Sequence, residues 1–167
     1  MHSDSIYHEQ QGFSQKWLMI ILVLELLISV AATVLIFMKE PDAGILVALL
    51  PALFGIALFL LMTKARLKLE INDQEIHYQF RPFHLSRRTI TRSQVDALTV
   101  VSYDPLSDYG GWGIRKGREG WAYTTAGHTG LLIKRNNGKP VLIGTSRPDA
   151  LAAFLRSRWT ALYRPAS

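Results

Sequence analysis

The sequence predicts an α+β membrane protein: an N-terminal transmembrane helical hairpin, then one β-rich domain of about seven strands closed by a C-terminal helix. Three observations carry that reading. Residues 17–38 and 43–62 are apolar runs separated only by Lys39, Glu40, Pro41 and Asp42. After Met62 the hydrophobic period becomes two, the alternation of half-buried strands. Beyond Ser146 it changes again, to the spacing of an amphipathic helix.

At about 1.5 Å per residue, the two runs reach roughly 30 to 33 Å as helices, the thickness of a bilayer's hydrocarbon core. A four-residue connector permits only a tight reversal. A cleaved signal peptide is the other reading of the first run. Its only preceding cation is Lys16, which comes after Asp4 and Glu9, and no small-x-small cleavage site follows. The run also exceeds the usual apolar region of about 7 to 15 residues, so a retained helix is expected. Residues 1–16 are then an N-terminal cytoplasmic tail, and both chain ends, 1–15 and 164–167, read as loose.

Orientation follows from the flanking cations. Lys64, Arg66 and Lys68 come directly after the second run, with Arg81, Arg87, Arg88 and Arg92 soon after. The positive-inside rule places both termini in the cytoplasm and the connector outside. From Lys64 onward there are 17 Lys and Arg against 8 Asp and Glu, a net charge of +9, whereas the preceding 63 residues carry −3. A basic domain on so short a link is held beside anionic headgroups. The tether argues against nucleic acid as its partner. The chain has no cysteine, which excludes disulfides, a thiolate nucleophile and sulfur-ligated metal.

Within the hairpin, Glu25, Ser29 and Thr33 recur at i, i+4, i+8 as one intramembrane polar stripe, with Ala32 beside it. Gly44, Ala48 and Ala52 form a small-residue face at the same spacing. Folding about residues 40–41 sets Thr33 opposite Ala48, Ser29 opposite Ala52, and Glu25 near Gly55 and Ile56. Glu25 lies about 12 Å into its helix, where a charge is costly. One reading makes it an ion or proton relay. The other makes it a protonated carboxyl that bonds across the hairpin or at a dimer interface. With no basic partner in either helix, the second is preferred. Pro51 removes a backbone donor and kinks the second helix, which is tolerated where another group recovers the bond.

The β-rich domain, residues 64–163, starts at once. Lys64, Arg66, Lys68 and Glu70 alternate with Ala65, Leu67, Leu69 and Ile71. Asn72-Asp73 is turn chemistry, and Ile76, Tyr78 and Phe80 then alternate with His77, Gln79 and Arg81, giving a hairpin. Pro82 closes it. Residues 85–91 read as a short basic strand and 97–103 as a fourth, rich in β-branched residues. Residues 121–125 and 129–135 are β-like, and Asn137-Gly138 turns the chain into 140–144. Ser146, Pro148 and Asp149 resemble a capped helix start. Leu151, Phe154, Leu155, Trp159 and Leu162 continue at helical spacing.

The order of these elements resembles that of bacterial pleckstrin-homology-like (PH-like) membrane proteins. The string Tyr109-Gly110-Gly111-Trp112-Gly113-Ile114-Arg115 narrows the likeness, with Pro82-Phe83-His84 before it and Leu142-Ile143-Gly144-Thr145 after it. It resembles an uncharacterised bacterial family of two-helix membrane proteins with a PH-like domain. The likeness covers residues 66 to about 155 and the hairpin. It implies a PH-like antiparallel barrel or sandwich at the inner membrane and carries over no catalytic residue.

Residues 109–130 hold seven of the twelve glycines, together with Tyr109, Trp112, Trp121 and Tyr123. One reading is an anion site, with backbone donors joined by Arg115, Lys116 and Arg118. The other is a structural bulge or hairpin with tryptophan packed over glycine, and this is preferred. Arg115 is the residue expected to do more, or else to pair with Asp104 or Asp108. The glycine spacing fits neither a P-loop nor a dinucleotide fingerprint. Arg87, Arg88 and Arg92 are either a headgroup-binding face or a solvated, pairing-resistant edge. His2, His8, His77, His84 and His128 lack metal-site spacing. Asp104 and Asp108, around Pro105 and Leu106, fit turn chemistry better than an acid–base pair.

The expected function is therefore non-enzymatic, without metal or cofactor: a membrane-anchored module that binds a protein partner, or a second copy, at the cytoplasmic face. The alternatives are anionic-headgroup binding through Arg87, Arg88, Arg92, Arg115 and Trp112, and a small transport component using Glu25.

Overall fold

The computed structural model describes residues 6–40, 45–117 and 120–165. Pro41 and Asp42 of the expected connector lie outside these, as do Ala43 and Gly44 of the second apolar run and Arg118 of the glycine-rich segment. The chain divides into two compact units, Phe13–Ala65 and the remainder.

The first unit is a pair of helices, α1 (Lys16–Lys39) and α2 (Ile45–Lys64), each long and apolar enough to cross a membrane. Their seam uses the expected residues in a shifted register. Thr33 Oγ1 accepts from the Ala52 amide at 3.2 Å. A Cβ on Gly55 would stand 2.9 Å from Ser29 Cβ. Thr33 thus meets Ala52 rather than Ala48, and Ser29 faces Gly55 rather than Ala52, a slip of about one turn. Gly55, with no side chain, gives the closest approach, and the amide that follows the helix-disrupting Pro51 gains an acceptor. Glu25 lies beside Gly55 as expected, its Oε1 accepting from Ser29 Oγ at 2.9 Å.

The second unit contains nine strands among the described residues, two more than expected. β1 (Tyr7–Gly12), β2 (Arg66–Ile71), β3 (Glu75–Arg81) and β4 (Arg88–Thr91) form an antiparallel sheet in that order. β5 (Val95–Ser102), β6 (Gly113–Lys116), β7 (Trp121–Thr124), β8 (Thr129–Arg135) and β9 (Val141–Gly144) form a second, in the order β5-β8-β9-β7-β6. Neither sheet closes on itself: where the sequence led to a barrel or a sandwich, the domain has two open sheets. The second sheet is mixed: β7 and β9 run parallel, because β8 intervenes in sequence and pairs with the far side of β9. The alternation read from the sequence sets the faces, with Leu67, Leu69, Ile71 and Ile76 fully buried. Tyr78 of β3 meets Tyr123 of β7 at 5.0 Å between ring centroids, joining the sheets in one core.

β1 corrects the expectation of a loose N-terminal tail. All six of its residues register against β2, from Tyr7↔Ile71 to Gly12↔Arg66. The helical hairpin is thus an insertion between two paired strands. The C-terminal helix α4 (Pro148–Arg158) begins later than expected and without Ser146 as its cap. Ser146 instead donates its amide and its hydroxyl to Glu9 Oε1, both at 2.7 Å. Beyond α4, Trp159 is fully buried and donates to the Asn72 carbonyl at 2.9 Å. The following segment is ordered through Tyr163, which forms a parallel bridge with Leu98.

Candidate binding groove

A short helix, α3 (Pro105–Tyr109), walls a groove on the second sheet. Its sequence is self-terminating. Asp104 caps the start, accepting from the Leu106 and Ser107 amides; Pro105 occupies the first turn; and Gly110 ends it in the left-handed region at φ 70°. The amides of Ser107 and Leu106 hold the Asp104 carboxyl below its ordinary range. Asp108 returns the favour, accepting from the Asp104 amide at 2.8 Å. Both carboxylates therefore serve the turn.

α3 stands beside the face of the second sheet that points away from the shared core. There Val101, Leu132 and Leu142 form an apolar floor, while Ser102, Tyr103, Ser107, Asp108 and Tyr109 form the wall. The groove encloses about 490 Å³, within the usual range of ligand-binding cavities. Tyr103 and Tyr109 meet edge to face with centroids 6.0 Å apart. Burial chiefly raises the Tyr103 phenol above its ordinary pKa, opposed by a hydrogen bond with Thr124 and reinforced by Tyr109. Gly117 has no room for a side chain, since a Cβ would come within 2.6 Å of the Tyr109 ring.

The groove opens along an edge of the sheet, strand β5. The Leu98 amide donates to the Leu162 carbonyl at 2.9 Å, and the Leu98 carbonyl accepts from the Arg164 amide at 2.8 Å. Backbone groups point outward at alternate residues of an antiparallel edge. Val100 and Ser102 therefore aim theirs the same way, and they take no backbone partner on that side among the described residues.

The predicted site residues are dispersed. Arg87 precedes β4 and pairs with Glu70 at 2.8 Å. Arg88, on β4, donates to the Tyr123 hydroxyl at 3.0 Å. Arg92 opens a 3-10 turn (Arg92–Gln94), donates to the carbonyls of Asp73 and Arg158, and lies 4.7 Å from the Trp159 ring centroid. Arg115 lies on β6 of the other sheet, and Trp112 directly precedes that strand. Trp112 Nε1 donates to the Gly127 carbonyl at 2.9 Å, and Arg115 Nε to the Trp112 carbonyl at 3.2 Å. No ion pair joins Arg115 to Asp104 or Asp108 among the described residues. Gly110, Gly111 and Gly113 all have positive φ, shaping the approach to the β6–β7 hairpin.

Sequence reasoning missed a second polar centre altogether. Glu9, only 2% exposed, accepts from the Tyr7 hydroxyl at 2.6 Å, Thr145 Oγ1 at 2.7 Å, and both donors of Ser146. Burial pushes its pKa up, but the hydrogen bonds from Tyr7, Ser146 and Thr145 outweigh that and leave it lowered. Burial, with the bond to Glu9, pushes Tyr7 up to about 12. Gln11 donates to the Gly144 carbonyl at 2.7 Å, and Arg147 donates to the His8 carbonyl. The sole cue in the sequence is the alternation of Tyr7, Glu9 and Gln11, which is polar and so does not announce a buried face. Compared with known proteins, the chain matches no protein-family model and no curated protein.

Proposed function

We propose that this chain is a membrane-anchored, non-enzymatic binding module with both termini in the cytoplasm, whose PH-like domain captures an extended segment of a partner protein. The observation that carries the reading is the β5 edge. It already takes a single parallel bridge from the chain's own Tyr163 segment at Leu98, and its next outward groups, at Val100 and Ser102, lie beside the groove. Strand addition supplies affinity through the backbone, and an adjacent pocket supplies side-chain choice. The apolar floor suits one aliphatic or aromatic side chain, and the hydroxyls of Tyr103, Ser102 and Ser107 suit its polar flank. The family resemblance and the two apolar helices support the membrane setting, and the basic excess after Lys64 supports the cytoplasmic orientation.

The test is site-specific photocrosslinking in cells from position 107, on the groove wall, with the crosslinked peptide sequenced. A single extended peptide, lost in Leu132→Glu and in Ser102→Pro while the protein retains its melting temperature, supports the reading. Crosslinks unaffected by both substitutions would overturn it.

A further inference from the structure

Phe83 and Leu85 are the largest apolar side chains that β3 and β4 leave in the open, 45% and 97% exposed. Their exposure does not come from a slack loop. The His84 amide donates to the Phe80 carbonyl at 2.8 Å, and His84 Nδ1 accepts from the Phe80 amide at 3.3 Å. Gln79 Nε2 donates to the carbonyls of His84 and Leu85. The Phe83 ring stacks on Phe80, 5.6 Å between centroids. The loop is built, and it is built to present these two side chains outward.

Its place in the sheet is fixed by register. Arg66 pairs with Gly12 on one side and with Arg81 on the other. Gly12 precedes α1 by three residues, and only Ala65 separates Arg66 from the end of α2. Two peptide steps of about 3.8 Å and one interstrand spacing of about 5 Å therefore bring Arg81 within about 13 Å of the last residue of α2, by connectivity alone. The loop that follows Arg81 hangs from the end of the sheet where both apolar helices attach. Arg81, exposed, precedes it, whereas Arg87 on its other side turns along the sheet to Glu70 at 2.8 Å.

We propose that the β3–β4 loop inserts Phe83 and Leu85 into the interface of the bilayer that the hairpin spans, with Arg81 at headgroup level. The inference rests on the hairpin being transmembrane. Apolar tips beside a cation are a side-chain set that settles at a lipid surface.

The absence of cysteine allows single-cysteine labelling of the full chain. Leu85→Cys, Ile28→Cys and Gln74→Cys would each carry an NBD fluorophore in proteoliposomes of phosphatidylcholine and phosphatidylglycerol. Ile28 faces outward midway along α1, and Gln74 sits exposed at the opposite end of the first sheet, about 17 Å along the strands from Arg66. The expected result is a blue-shifted Leu85→Cys label quenched by lipid with a shallow nitroxide, an Ile28→Cys label quenched by a deep one, and a water-like Gln74→Cys label. A quenched Ile28→Cys label with a water-like Leu85→Cys label would overturn loop insertion while leaving the hairpin in the membrane, and the exposed tip would then be a protein contact. If neither label is quenched, the transmembrane reading fails, and the loop proposal fails with it.

Discussion

Replacing Glu9 by alanine should detach β1 from the rest of the β-rich unit. The carboxylate accepts four hydrogen bonds between 2.6 and 2.7 Å at a position 2% exposed. Its removal leaves the Tyr7 hydroxyl, the Thr145 hydroxyl and both Ser146 donors facing a void. A buried donor left unmet costs about 1–3 kcal/mol. The hydroxyls can turn toward other acceptors and the Ser146 amide cannot, so a total of about 3–4 kcal/mol is reasonable. At about 1.4 kcal/mol per decade, β1 amide exchange should accelerate a few hundredfold. Glu9→Gln keeps the shape and one acceptor oxygen for Ser146, but its amide must face the two remaining hydroxyls. Its cost should be about 1–2 kcal/mol, and exchange should rise roughly tenfold. Acid should act in the same direction. The folded pKa of Glu9 lies below its ordinary 4.5, so the carboxylate's contribution is complete above that value and is lost as pH falls through the folded pKa. Hydrogen exchange of residues 7–12, read by mass spectrometry in detergent, is the assay. Exchange in Glu9→Ala equal to the wild type would refute the reasoning.

Three further outcomes follow from the same geometry. Tyr7, raised to about 12, should favour the docked strand below its ordinary pKa of 10.0 and release it as pH climbs toward 12; Tyr7→Phe should shrink that alkaline step, shared with Tyr78, in the pH dependence of the melting temperature. Thr33→Val removes the acceptor for the Ala52 amide and should destabilise the hairpin by about 1 kcal/mol, with a smaller effect in a Pro51→Ala background, as a double-mutant cycle of thermal stability in detergent would show. Arg92→Ala should cost about 2–3 kcal/mol through two lost carbonyl bonds and the contact with Trp159; Arg92→Lys should recover little of the lost melting temperature, since an ammonium cannot reproduce the planar fork.

Where side-chain chemistry and backbone period coincide, the fold was legible. Leu67, Leu69 and Ile71 face the core because they alternate with Arg66, Lys68 and Glu70, and the Asn137-Gly138 turn between β8 and β9 follows from its residue types. The seam residues of the hairpin were legible too, but their register was not, because a one-turn slip preserves the i, i+4 pattern. β1 was hidden because its inward residues are polar, and their burial depends on partners more than 130 positions away. β6 was hidden among glycines whose turn geometry masks a four-residue strand. The groove was out of reach for a different reason. Its floor is formed by Val101, Leu132 and Leu142, and only strand order brings them together. The arginines show the converse limit. Their spacing suggests one basic face, yet Arg88 and Arg92 turn their guanidinium groups to Tyr123 and to carbonyls near Trp159.

The insertion of the hairpin between β1 and β2 sets the unit in which this domain can exist. A fragment beginning at Lys64 has the whole second sheet but lacks β1. It exposes the edge of β2 along six registered residues and leaves Thr145 and Ser146 without their carboxylate. At about 1 kcal/mol per lost backbone hydrogen bond, together with the unmet donors around Glu9, the deficit rivals the whole stability of a small domain, about 5–15 kcal/mol. The exposed edge also invites pairing between molecules. Joining Gly12 to Arg66 through an Asn-Gly turn should repair this, because those two residues already face each other across an antiparallel pair and a two-residue loop closes such a pair. The expected result is a soluble, monomeric, cooperatively melting fused domain, and a Lys64 fragment that aggregates or melts far lower. Equal stability of the two would show that β1 contributes nothing to the fold and would overturn the account of Glu9 as well.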